Sequence, residues 1–238
     1  MGLNDYNRLA QQYKESDIKP DKQYSILPTV LKAAGDLTEK AVLDLGCGSG
    51  FFSRAFAQNG ASKVTGIDNS EMQIKQAQKV AGASEEYRLG DAFNDELPMA
   101  DIVNVPFILN YLRTEQEVVN FLKRIRSSLN EGGAAIFVID LPSDKDLTKY
   151  GAVKIVEGAM KDGAPMKICL YNADGSRICE LNAYYISPST FERCSKAAGF
   201  DHIERIEPIV SEEGINAFTK EYWEEYLKDT QLGYYLCS

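Results

Sequence analysis

The stretch Val42-Leu43-Asp44-Leu45-Gly46-Cys47-Gly48-Ser49-Gly50 decides how this chain is read. Ala41 to Leu45 is a short apolar run interrupted by one acid, the pattern of a buried parallel strand. Three glycines at alternate positions follow, then Phe52, Ala55, Phe56 and Asn59 at helical spacing. Strand, glycine turn and helix together make a nucleotide-binding βα unit. The glycines lack Cβ atoms, so the backbone there turns tightly and lies close against a ligand. A dinucleotide fingerprint needs a glycine three places after Gly48, where Phe51 stands, so NAD and FAD are disfavoured. A P-loop needs Gly-Lys-Ser/Thr, which is absent.

Working outward, strands and helices alternate in the α/β manner. Lys63 to Ile67 reads as the second strand and ends at Asp68. Ser70 caps a helix that runs to about Ala81, and Gly82 stops it. Glu86 to Leu89 is a third strand, followed by Gly90-Asp91-Ala92, and Ala100 to Val105 is a fourth. Val118, Leu122, Ile125 and Leu129 form one stripe of a helix from Glu115 to Leu129. Gly132-Gly133 is expected to break that helix before a fifth strand, Ala134 to Ile139. Residues 142–187 read as a β-rich insertion of two or three antiparallel strands, with Asp174-Gly175 as a hairpin turn. A helix to about Ala198 starts at Ser187-Pro188-Ser189. His202 to Val210 is the sixth strand and Gly233 to Cys237 the seventh. Residues 1–36 form a helical leader that Pro20 divides, its second helix running from Asp21 through Ala34.

The chain has 238 residues and a formal net charge of -9, with a pI near 4.8. That suits one α/β domain, residues 1–238, with an insertion. The acidic balance disfavours partners that present phosphate, whether nucleic acid or an anionic membrane. No apolar run reaches the length of a membrane span. Five cysteines without CxxC spacing argue for a reducing cytoplasm and against structural zinc. The expected assembly is a monomer or weak dimer.

Asp68 is the second anchor, about 20 residues after the glycine turn, where a nucleotide-binding unit places an acid on ribose hydroxyls. With Asp44 and the glycines, it resembles the first motif of the class I S-adenosylmethionine (SAM) methyltransferases. That resemblance implies a seven-stranded Rossmann-like sheet of order 3-2-1-4-5-7-6, with strand 7 antiparallel, and SAM as cofactor without a metal. It also implies a methionine cradle at Asp44, Gly46, Cys47 and Gly48. Asn69 and Met72 would flank the adenine, and Asp91-Ala92 would meet its amino group and ring. The helical leader would cover the site, with Tyr13 and Tyr24 as candidate cofactor contacts. Packing against the sheet is the plainer role for these tyrosines.

After the fourth strand, Asn104-Val105-Pro106-Phe107 has two readings. Alone, it is similar to the Asn-hydrophobic-Pro-aromatic motif of ribosomal RNA adenine dimethyltransferases. In context with Asn110-Tyr111 it resembles the Leu-Leu-Asn-Tyr of toxoflavin-biosynthesis-type methyltransferases. That second likeness extends to Tyr6-Asn7-Arg8-Leu9-Ala10 through Tyr13, to Ala198-Gly199-Phe200 and to the segment around Trp223. It implies methyl transfer to a nitrogen or oxygen of a small, flat heterocycle. Val105 would then lie beside the methyl group, and Asn104, Tyr111 and Tyr13 are the candidate catalytic residues. The parts around the cavity hold few charges, which points to a neutral methyl acceptor. An RNA adenine methyltransferase and a non-catalytic SAM-binding protein remain the other two readings. His202, the one histidine, reads as a surface residue, the Cys47 thiol as core, and Trp223 as a structural plug.

Overall fold

The computed structural model describes residues 3–172 and 174–238, with the backbone alone at 11–15. Its central sheet grows from β1 (Ala41–Leu45), which pairs in parallel with β2 (Lys63–Asp68) on one side and β4 (Ala100–Pro106) on the other. β3 (Glu85–Leu89) continues beyond β2 and β5 (Leu129–Asp140) beyond β4, both in parallel. β10 (Leu232–Cys237) inserts antiparallel between β5 and β9 (Ile203–Arg205). The order is β3-β2-β1-β4-β5-β10-β9, the topology expected from the sequence.

The two-residue period of a strand divides the core between the two faces. Leu43, Leu45, Val103 and Phe137 pack on one face with Val118, Leu122 and Ile125 of α5 (Glu115–Ser127) and Phe191 of α6 (Pro188–Ala198). Val42, Ile102, Ile136 and Val138 pack on the other. Their partners there are Phe52 and Phe56 of α3 (Phe51–Gln58) and Val30 of α2 (Leu27–Ala34). Covered on both faces, the central strands have no polar side to show water, hence their nearly unbroken apolar runs.

Three boundaries differ from expectation. α5 begins as read, with Thr114 and Glu117 forming a reciprocal capping box, but Gly132 and Gly133 lie inside β5. The pairing of β4 with β5 slips there, and a Cβ on Gly133 would come within 2.9 Å of the Asp101 carbonyl oxygen. The pair permits a bulge. β9 has three residues where His202 to Val210 was expected, because Pro208 has no N–H to give a sheet ladder. The second leader helix opens at Pro20 and widens into a π turn over Lys22–Ile26 before α2. Pro28 explains the widening: it cannot donate to the Tyr24 carbonyl four residues back. That carbonyl instead accepts from the Ser211 N–H at 2.8 Å, tying the leader to the C-terminal region.

Between β5 and α6, β6 (Ala152–Val156), β7 (Pro165–Tyr171) and β8 (Arg177–Tyr184) form a separate antiparallel sheet. Its apolar face, including Met166, Ile168, Leu170 and Leu181, packs with Tyr6 and Leu9 of α1 (Tyr6–Glu15). Trp223 of α8 (Lys220–Lys228) is buried with Tyr150 and Tyr226. Its indole N–H donates at 2.8 Å to the Gly214 carbonyl of α7 (Glu212–Ala217). It is the plug the sequence suggested. All five cysteines are buried free thiols. No helix among the described residues is long and apolar enough to cross a membrane.

Candidate active site

The C-terminal ends of β1, β2, β4 and β5 open onto one cleft. Ligands of open α/β sheets bind at these ends. Gly46 after β1, Asp68 at the end of β2, Asp91 beyond β3, Pro106 at the end of β4 and Asp140 at the end of β5 all line it. The leader contributes Tyr6 and Lys19, and the small sheet contributes Ile168, Leu170 and Leu181.

One end of the cleft suits a nucleoside. Asp68 accepts from the Gly48 N–H at 2.9 Å through one oxygen and from the Ser70 N–H at 2.8 Å through the other. The glycine turn therefore orients the carboxylate, and a second lone pair on each oxygen remains for a ligand hydroxyl. Burial raises its pKa, and the two N–H bonds oppose that shift. Gly46 has a φ of 63°, and a Cβ there would meet the Ile108 Cδ1 at 2.9 Å. Only glycine brings the backbone this close to the wall. Asn69, Asp91 and Ala92 also line this end. Asp91 carries the turn that follows it, accepting from the Phe93 N–H and the Asn94 amide at 2.9 and 2.7 Å.

Several sequence candidates lie elsewhere. Asp44 is fully buried beneath α3, between the Ser53 hydroxyl at 2.5 Å and the Asn104 amide at 2.8 Å. Burial pushes its pKa from 3.8 up to about 6 against those two bonds. Asn104 is therefore a core clamp between β1 and β4; its side chain does not reach the cleft, because its place in the strand alternation turns it onto Asp44. Val105 is wholly buried in β4. The thiol of Cys47 packs with Ile74, Ala77 and Tyr87; its N–H donates to the Ile67 carbonyl and its own carbonyl accepts from the Gly50 N–H. Burial raises the thiol pKa well above its ordinary range, so it is a core group, as its small size suggested. Gly48 acts through its bond to Asp68 and does not line the cleft.

Met72 is half exposed, and its N–H donates at 3.2 Å to Asn7, which also accepts from the Ser70 hydroxyl at 3.0 Å. Asn7 thereby pins the leader to the start of α4 (Glu71–Gln78). Tyr24 packs edge-on against Phe218 and Trp223, away from the cleft. The Tyr13 side chain lies outside the described residues. His202 is on the surface, 3.6 Å from Glu204.

Tyr111 does line the cleft. Its hydroxyl meets that of Tyr6 in a short contact, and burial pushes its pKa up to about 12. Phe107 beside it has a φ of 62°, a conformation costly for a side-chain-bearing residue. Asn110 faces away from the cleft: its amide N–H donates to the Asp140 and Tyr184 carbonyls, and its oxygen accepts from the Asp140 N–H. It joins the end of β5 to the end of β8.

The cleft also holds charged residues that the sequence did not single out: Lys19, Asp21, Lys22, Asp140 and Lys154. This corrects the expectation of few charges. Lys154 is 3.1 Å from Asp140 and donates to the Gln231 carbonyl at 3.0 Å. Sequence alternation gave no sign of it: Lys154 is buried in β6 while Ile155 points to solvent, the reverse of what their polarity suggests. Among the described residues no cluster of His, Cys, Asp and Glu has a metal-site arrangement.

With the geometry established, similar proteins can be set beside it. A solved S-adenosylmethionine dependent methyltransferase from Mesorhizobium loti superposes with a TM-score of 0.61 over 94% of this chain and 100% of its own, at 18% identity. The chain has the class I methyltransferase fold. The DhpI-SAM-HEP complex gives a TM-score of 0.63 over 98% of this chain and 94% of that one, at 19% identity. Residues 42–133 match the Methyltransferase domain family. An uncharacterized protein of Haemophilus influenzae is 32% identical over 60% of this chain and 59% of its own length. A tRNA U34 carboxymethyltransferase of Shewanella sp. is 31% identical over 42% of this chain and 31% of its own length. The chain thus spans less than two thirds of these curated relatives.

Proposed function

We propose that this protein is a SAM-dependent methyltransferase acting on a nitrogen or oxygen of a small, flat heterocyclic metabolite. One observation carries the reading. The nucleoside end, with Asp68 held by the glycine turn, continues without a wall into a chamber roofed by β6–β8 and the leader. A bound SAM would supply a methyl group already activated by the sulfonium. What remains for the residues is to bind, align and exclude water, effects worth about 7–11 kcal/mol when the reacting atoms are well placed. Asp68 would hold the ribose, Asp91 and Ala92 would lie along the adenine, and Gly46 would admit the methionine part. Phe107 and Tyr111 would face the methyl acceptor, with Ile168, Leu170 and Leu181 along its apolar body. The residues fit the cofactor, since a carboxylate already oriented by two N–H groups is the donor set that ribose hydroxyls require.

A tRNA substrate is the second reading, favoured by the Shewanella relatives. It is opposed by the net charge of -9, which disfavours binding to a phosphate backbone. The deciding experiment incubates the protein with methyl-labelled SAM and, in parallel, heteroaromatic metabolites, phenols and bulk tRNA. Label in a small heterocycle supports the proposal. Label only in tRNA replaces the substrate reading, and no SAM binding by calorimetry removes the activity altogether.

A further inference from the structure

Among the described residues, three lysines from two segments far apart in the chain line the chamber, and they are not equally satisfied. Lys22 lies 2.5 Å from Asp17 and Lys154 lies 3.1 Å from Asp140. Lys19 is 3.4 Å from each carboxylate oxygen of Asp21, and its other partner, the Gly151 carbonyl, is 3.3 Å away. Asp21 is meanwhile engaged at 2.7 Å by the Lys22 N–H. Charge-assisted bonds between nitrogen and carboxylate normally measure about 2.7–2.9 Å, so among the described residues the Lys19 ammonium has only long bonds. It is nonetheless 7% exposed, and a buried ammonium loses much of its hydration without full replacement. Burial, with Lys154 nearby, pulls its pKa below the ordinary lysine value.

The position is built. The Lys19 stem lies on Gly151, where a Cβ would come within 2.7 Å of the lysine Cδ. Leader and insertion are shaped to each other at this point, the lysine stem lying directly on the Gly151 backbone. Across the chamber, Ile168, Leu170 and Leu181 offer an apolar wall.

We infer that the methyl acceptor carries an oxyanion, most simply a carboxylate, which Lys19 binds with support from Lys154 while the apolar body lies against the small sheet. Lys19 is then the residue that selects the anionic acceptor, and it takes no part in methyl transfer itself. The inference rests on the proposed methyl-acceptor chamber and narrows its occupant from a flat heterocycle to an anionic one. A neutral heterocycle would leave Lys19 with the same long bonds, whereas an oxyanion supplies a short acceptor that the described residues do not.

The test uses the full chain loaded with S-adenosylhomocysteine and titrated with benzoate and benzamide, probes of one shape that differ in charge. Binding is followed through the methyl resonances of Ile168 and Leu181. Benzoate is expected to bind at least about tenfold tighter than benzamide, equivalent to about 1.4 kcal/mol. Lys19→Gln should remove that preference and Lys19→Arg should keep it, while S-adenosylhomocysteine affinity stays at the parent value in both. Equal binding of the two probes, binding of neither, or a preference that survives in Lys19→Gln would overturn the inference. If Lys19→Gln does not fold, Lys154→Gln is the second variant, and an undiminished benzoate preference there also overturns it. The calorimetry of S-adenosylhomocysteine alone separates this outcome from failure of the methyltransferase reading.

Discussion

Asp68 and Asp44 show how one residue type takes opposite roles in adjacent strands. Asp68 ends its strand and faces the cleft, with each oxygen tied to a backbone N–H. Asp68→Ala should weaken SAM binding by about 1.5–3 kcal/mol, the range for a hydrogen bond to a charged group, as read by calorimetry; an unchanged affinity would remove the ribose assignment. Asp44 is buried, and its folded-state pKa rises from 3.8 to about 6. The folded chain therefore holds this proton more tightly than the unfolded one. Its contribution to stability is full below the unfolded pKa and is lost as pH rises through the folded pKa. Between about pH 4 and 6 that loss amounts to about 3 kcal/mol at most. Asp44→Asn keeps a neutral group between Ser53 and Asn104, so its stability relative to the parent should improve over that interval in urea denaturation. A constant difference from pH 4 to about pH 7 would contradict the assignment. Tyr111→Phe removes the hydroxyl that meets Tyr6 at the chamber wall. It should slow methyl transfer in single-turnover measurements and leave SAM affinity nearly intact; a parent-like rate would mean that Tyr111 only packs.

The small sheet β6–β8 is the element that turns an open sheet edge into a chamber. Its inner face serves two purposes, since Leu181 packs in the local core and also lines the cleft. Leu181→Ala should cost about 2–5 kcal/mol, as buried leucine truncations do, measured by thermal or urea unfolding. It should also raise the KM for the methyl acceptor while the SAM affinity changes little. A variant with parent KM would place the acceptor away from this sheet. The leader is similarly double in purpose. Pro28 opens its helix, the released Tyr24 carbonyl takes the Ser211 N–H, and Asn7 holds the start of α4, so the cover is fastened at both ends.

At the scale of the whole molecule, charge decides which partners are attracted. The net charge of -9 should repel a polyanion, so tRNA binding in filter assays is expected to be weak and without a steep dependence on salt. A strong interaction whose logarithm falls steeply with salt concentration would restore the tRNA reading. The fold itself was legible because periodicity records burial. Runs such as Val42 to Leu45 and Ala100 to Val105 are continuous because both sheet faces are covered, and the glycines that follow β1 mark a turn no other residue makes.

The sequence by itself determined the alternation of strands and helices and the place of Asp68 at the end of β2, while the sheet order came with the resemblance to the class I methyltransferases. The alternation and the position of Asp68 are set by local rules: strand and helix periods, caps, and the glycine turn. It could not reveal which way a side chain at the end of a strand would point. Asn104 and Asp44 satisfy each other inside the core, while Lys19, Asp140 and Lys154, from three separate segments, meet in the chamber. The bulge at Gly132-Gly133 was likewise settled by β4, a neighbour distant in the chain. Only tertiary structure decides such matters, because buried polar groups take whichever partner the packing brings within reach, and sequence spacing does not encode that distance.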